Sequence, residues 1–127
     1  MNEKEFEELV SHAIDAIPPL YYKKLHNVAF VIEDEPTQQQ RHKLELHCTQ
    51  TLYGLYEGIP LTRRGSNYNL VLPDKITVFR LPILHLSRSR EEVRSQVRKT
   101  VWHEVAHYYG LDHERIHELE NKPPKSS

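Results

Sequence analysis

One cysteine, Cys48, stands among 127 residues. An internal disulfide is therefore excluded, and so are a disulfide framework and a cysteine zinc knuckle. Cys48 sits in a mixed polar segment and reads as a structural or incidental thiol. No apolar run approaches the roughly 20 residues of a membrane span. The start, Met1-Asn2-Glu3-Lys4-Glu5-Phe6-Glu7-Glu8, is acidic and lacks an apolar signal core, so a cytoplasmic location is the default expectation. The formal net charge is -1, which leaves no global field to attract nucleic acid or an anionic membrane. Neither an internal repeat nor a domain linker is present. The length suits one domain with a single modest core. No heptad pattern or long apolar surface stripe demands a second copy, so a monomer is expected.

What the chain does carry is periodic. Phe6, Leu9, Val10, Ala13, Ile14 and Ile17 recur at helical spacing over residues 3 to 17, and Pro18-Pro19 stops that helix. Tyr21, Tyr22 and Leu25 suggest a further short helical turn. Val28-Ala29-Phe30-Val31-Ile32 is a continuous apolar run of strand length, ended by Glu33-Asp34-Glu35-Pro36. Residues 37 to 43 are polar and read as a loop or a helix start. Leu52 to Leu61 is aromatic and glycine-punctuated and reads as a structured turn or short strand. Residues 63 to 67 form a turn. Ile76 to Leu81 reads as a strand, and because Pro82 has no amide donor the strand is expected at an edge.

The last long element is a helix over roughly residues 89 to 109. Ser87 or Ser89 can cap it, with Glu91 and Glu92 in its first turn. Val93, Val97, Val101 and Val105 form its core stripe, and Trp102, Ala106 and Tyr109 make a second apolar strip beside it. Asp112 is a candidate cap for a short helix through Glu120, and residues 121 to 127 read as a loose tail.

Nine histidines is a high count for this length, and three of them fall in one run. His103-Glu104-Val105-Ala106-His107-Tyr108-Tyr109-Gly110-Leu111-Asp112-His113 reads H-E-x-x-H-x-x-G-x-x-H. On a helix, residues four apart share a face, so His103 and His107 can reach one ion. They lie about 160° from the line of valines, so the valines can anchor the helix while the histidines face a cleft. Glu104 is about 100° further round than His103, poorly placed as a ligand and well placed beside a water. Gly110 permits a left-handed turn that ends the helix, and His113 can then complete a three-histidine set with an open fourth position. Neutral imidazoles leave the charge of a zinc ion intact, so a bound water becomes acidic near neutral pH. Glu104 can take that proton as the water attacks a carbonyl and return it to the leaving amine. If the edge strand around Ile76 to Leu81 borders the cleft, it can hold an extended peptide by backbone hydrogen bonds. A capped or solvent-facing edge is the equal alternative.

With these residues in view, the chain resembles the zincin metallopeptidases. The third histidine is similar to the metzincin pattern, but metzincins place a methionine turn downstream, whereas here the one methionine is Met1. The better resemblance is to the minimal zincin family, small bacterial zincin-like proteins classed as metallopeptidases. It rests on Val31-Ile32-Glu33-Asp34-Glu35-Pro36, on Tyr53-Gly54-Leu55-Tyr56-Glu57-Gly58-Ile59-Pro60-Leu61, and on the helix from Ser89 to His113. The resemblance spans most of the chain from about residue 28 and implies an α+β fold, with a small mixed sheet packed against the long metal-binding helix, while the length makes residues 1 to 127 a single domain. It also implies a bacterial origin, with His103, His107 and His113 as the ligands of one zinc ion and Glu104 as the catalytic residue, and the chemistry of that site makes a peptide or protein the expected substrate. The family pattern admits an acidic residue at the third ligand position, and Asp112 and Glu114 flank His113.

Two other readings compete with a zinc peptidase. Bacterial rRNA maturation endonucleases carry three histidines at the same spacing, but typically a glycine where this chain has Glu104, which favours the peptidase. Arg88, Arg90, Arg94, Arg98 and Lys99 can touch phosphates, yet Glu91 and Glu92 interleave with them, and a solvated helix face is the preferred reading. No nucleic-acid partner is expected. The third reading is a non-catalytic metal-binding module. His85 is a weaker candidate for the cleft. His117 reads as a surface or outer residue, since a fourth protein ligand would close the catalytic position. Tyr108 and Tyr109 can stabilise an oxyanion, although core packing is preferred. Tyr53 and Tyr56 are expected to pack the glycine-rich turn, and His12, His26, His42 and His47 to lie on the surface. So short a chain suggests a shallow cleft and weak activity on generic peptides.

Overall fold

A computed structural model describes residues 1–23, 25, 27–47, 53–58 and 74–110. Among them the chain runs α1 (Glu3–Asp15), α2 (Pro19–Tyr22), β1 (Val28–Glu33), α3 (Gln38–His47), β2 (Gly54–Glu57), β3 (Asp74–Phe79), α4 (Arg80–Leu86) and α5 (Arg90–Tyr108). The fold is α+β, and no helix among the described residues is long and apolar enough to cross a membrane.

Local chemistry sets most of the helix boundaries. Asn2 caps α1, its Oδ1 accepting from the Glu5 amide at 2.8 Å, and Glu3 and Glu5 place negative charge at the positive end of the helix. Pro19 opens α2 at its first position, where a missing amide hydrogen costs nothing. Asn27 takes a left-handed φ of 57° and turns the chain into β1. A reciprocal cap starts α3: Thr37 Oγ1 accepts from the Gln40 amide at 3.1 Å, and Gln40 Oε1 accepts from the Thr37 amide at 2.9 Å. Residues 37 to 43 thus open a helix, which settles the choice between loop and helix start. The signal was present in the sequence as Thr37 followed three residues later by glutamine. Ser89 caps α5, accepting from the Glu92 amide at 3.1 Å.

The sheet has the order β1-β3-β2. β1 runs parallel to β3, with Val28 opposite Asp74 and Glu33 opposite Phe79. β2 is antiparallel to β3, with Gly54 opposite Val78 and Glu57 opposite Lys75. The strand expected at an edge is therefore the central one. Pro82 misled because it lies not in the strand but in the first turn of α4, where backbone amides have no partner within the helix. β3 ends at Phe79, and Asp34 pins the turn: its carbonyl accepts from the Leu81 amide at 3.0 Å and its carboxylate from Arg80 Nε at 2.9 Å. With β3 paired on both sides, its backbone is not available to an extended peptide.

One face of the sheet meets α5, which is sandwiched between the strands and α1. Val97, Val101 and Val105 have no exposed surface and Val93 almost none. They pack with Phe6, Val10, Ala13 and Ile17 on one side and Ile76 and Val78 on the other. Each fully buried valine contributes about 1.5–3 kcal/mol of apolar burial. Ala106 is buried, and Trp102 and Tyr109 pack partly buried against this core. Tyr21 of α2 meets both rings edge-on, at centroid distances of 5.0 and 5.3 Å.

Candidate metal centre

The last two turns of α5 carry the chemistry. His103 and His107 are one helical turn apart, and their Nε2 atoms lie 3.1 Å from each other. The ring planes are inclined by 69°, so the two nitrogens converge on a common point. Two imidazole nitrogens bound at 2.0–2.1 Å to one tetrahedral ion would stand roughly 3.3 Å apart. The observed separation fits a shared cation with almost no rearrangement. One donor atom each from His103, Glu104 and His107 falls within 4.8 Å of the others, and among the described residues this is the one such grouping. His103 is only 7 % exposed and Glu104 only 2 %, while His107 is half-buried.

The helix ends as the motif requires. The Tyr109 amide donates to the Val105 carbonyl at 3.1 Å and the Gly110 amide to the His107 carbonyl at 2.9 Å. Gly110 has a φ of +74°, left-handed backbone that a residue with a side chain adopts only under strain. His113, expected as the third ligand, lies outside the described residues, as do Asp112, Glu114, His117, His26, Cys48 and the tail.

The two tyrosines after His107 pack against neighbouring rings. Tyr108 is buried and meets Tyr56 edge-on at 6.0 Å, and the Tyr56 hydroxyl donates to the buried Asp74 carboxylate at 2.7 Å. The Tyr109 hydroxyl donates to the Tyr21 carbonyl. Burial pushes the Tyr109 phenol up to about 12, with the nearby Tyr108 and Tyr21 phenols adding to the rise. That hydroxyl is bonded to the backbone of α2. His85 is exposed on α4, and His12 and His42 are exposed on their helices. Arg88, Arg90, Arg94, Arg98 and Lys99 are exposed too, with Arg90 paired to Glu5 at 2.8 Å.

Sequence patterns did not point to the neighbours of Glu104. β2 lies along the side of α5 formed by Thr100, Glu104 and Tyr108. The segment from Tyr53 to Gly58 was legible as a glycine-punctuated strand or turn. That it walls the Glu104 side of α5 is a long-range fact.

A histidine pair and a buried glutamate on one helix, backed by a small mixed sheet, form the arrangement of a zincin-type metal site. The chain belongs to the zincin-like metallopeptidase family, whose profile matches residues 25–122. No curated protein matches the chain. The family implies a metal ion, and the converging His103 and His107 nitrogens suit one.

Proposed function

We propose that this protein is a zinc-dependent peptidase in which His103, His107 and His113 hold the ion and Glu104 is the general base. The observation that carries the reading is the 3.1 Å convergence of the two histidine nitrogens beside a buried carboxylate, in a chain of the zincin-like metallopeptidase family. When bound, zinc acts as a Lewis acid that makes a water acidic near neutral pH and polarises a peptide carbonyl.

Glu104 accepts a proton from the attacking water at its carboxylate and delivers it to the leaving amine nitrogen. Its burial excludes bulk water, which would otherwise screen the carboxylate. The α5 backbone fixes the spacing of base and ligands, so both are oriented before substrate arrives. Three histidines leave a coordination position open, and the glycine at 110 is the residue type that lets the chain turn back toward such a third ligand. The substrate is a peptide or protein, and the turnover is slow on generic sequences.

Metal content is measured for the wild type, Glu104→Ala and His103→Ala, followed by a peptide-library cleavage assay on all three. Stoichiometric zinc in the wild type and in Glu104→Ala, with cleavage only in the wild type, is the expected result. Zinc without cleavage in any sample would favour RNA hydrolysis or a binding role. A wild type that takes up no zinc even when it is supplied sinks the reading.

A further inference from the structure

The contact between β2 and α5 has an unusual tightness at one place. A β-carbon built on Gly54 would lie 2.6 Å from Thr100 Cγ2, 3.1 Å from the Thr77 carbonyl oxygen and 3.2 Å from Glu104 Cγ. The first distance is shorter than carbon atoms tolerate, and the atom it meets is not the far end of a flexible side chain. Thr100 is β-branched and buried on a helix, where few rotamers are open. Its hydroxyl accepts from Gln96 Nε2 at 3.2 Å, which holds the Cγ2 methyl toward the strand. The Thr77 oxygen belongs to the backbone of the central strand and is fixed by the sheet. Position 54 is thus bounded by the sheet on one side and by two successive turns of the metal helix on the other.

We infer that Gly54 is a positioning residue for Glu104: the missing side chain lets β2 press against Thr100 and the Glu104 stem, and this contact sets where the carboxylate stands beside His103 and His107. The inference rests on the reading of Glu104 as the base. The two histidines lie on the same helix and keep their mutual spacing whatever happens at position 54. Glu104 does not share that protection, because its Cγ is itself part of the contact. A methyl group at 54 therefore displaces the base and leaves the ion's histidine ligands in place. Proton transfer needs heavy atoms within hydrogen-bond reach, and a misplacement of about 1 Å costs on the order of 10²-fold in rate.

The test is Gly54→Ala in the full chain. The expected result is zinc content and KM as in the wild type, with kcat down about 10²-fold. Adding Thr100→Ser removes the Cγ2 methyl and keeps the hydroxyl, and the double variant recovers at least about tenfold of that loss. Val10→Ala, a core change on α1, serves as the stability control and lowers Tm without changing kcat. A folded, zinc-loaded Gly54→Ala with the wild-type kcat overturns the inference, as does a loss of zinc that accounts for the whole effect. Side-chain NMR of the metal-free protein supplies a readout that does not need turnover. The Glu104 γ resonances shift in Gly54→Ala while the His103 and His107 ring resonances hold, and unmoved Glu104 resonances overturn the inference. A wild type that cleaves nothing would refute the peptidase reading alone, and the NMR comparison would still decide what Gly54 positions. If Gly54→Ala does not fold, Thr100→Ser alone opens the same contact and moves the same Glu104 signals; unmoved signals again count against the inference.

Discussion

The two sides of α5 are equally buried and differ in what their burial does. On one side Val93, Val97, Val101 and Val105 meet α1 and the sheet through carbon alone. On the other, Thr100, His103, Glu104 and Tyr108 are almost as inaccessible, yet each brings a polar group out of water. Removing apolar surface from water stabilises the fold, whereas burying a polar group costs free energy unless partners offset it. One helix thus holds a stabilising apolar stripe and, beginning a little over a quarter of a turn away, a polar stripe on which the proposed chemistry rests. The lesson is that substitutions on the two stripes should separate: stability falls on the valine side, function on the other.

The largest effect expected belongs to the ligands. His107→Ala removes one of the two converging nitrogens, and zinc content should drop to background with cleavage lost; metal analysis beside the peptide assay checks it. Next comes Glu104→Gln, which keeps shape and removes the base. It should lower kcat by about 10²–10⁴-fold with zinc retained, and Tm should hold or rise, since a buried charge is replaced by a neutral amide. A fall in Tm of the size seen for a core truncation would break the separation of the two stripes. Val101→Ala should do the opposite. It should cost about 2 kcal/mol in unfolding free energy and leave kcat per folded molecule unchanged, as denaturant melts and kinetics together would show.

The smallest effect sharpens the boundary between the stripes. Tyr109 ties α5 to α2 through the Tyr21 carbonyl, and Tyr109→Phe should cost about 1 kcal/mol. Its phenol titrates near 12 when folded and near 10 when free. The folded state therefore holds this proton more tightly. The stability gained is complete below pH 10 and is lost as the pH climbs from 10 through 12. Alkaline unfolding curves of the phenylalanine variant should lack that component, and an unchanged curve would deny the phenol any part in it.

Much of the site was legible because it is local. The valine stripe, the Ser89 cap and the turn at Gly110 all lie within a few residues of the groups they serve, and the helix closes where the motif places it. The α3 start at Thr37 was equally local, readable in its capping pair. The errors were of another kind. Pro82 reads as the mark of an edge strand over Ile76 to Leu81 but belongs to the first turn of α4, because a proline that refuses a ladder bond is also a proline that suits a helix start. The role of Gly54 depends on Thr77 and Thr100, which are far from it in sequence.

That His103 and His107 share a face with Glu104 beside them follows from the residue order alone, since a period of 3.6 residues leaves no other arrangement on a helix. Long-range packing makes β3 central, sets β2 against the Glu104 side and brings Gly54 to the place where strand and helix touch. Helical geometry is fixed by bonds between neighbours along the chain. Strand order and the depth of a helix against a sheet are fixed by contacts between distant residues, and no local pattern encodes which distant residue will arrive.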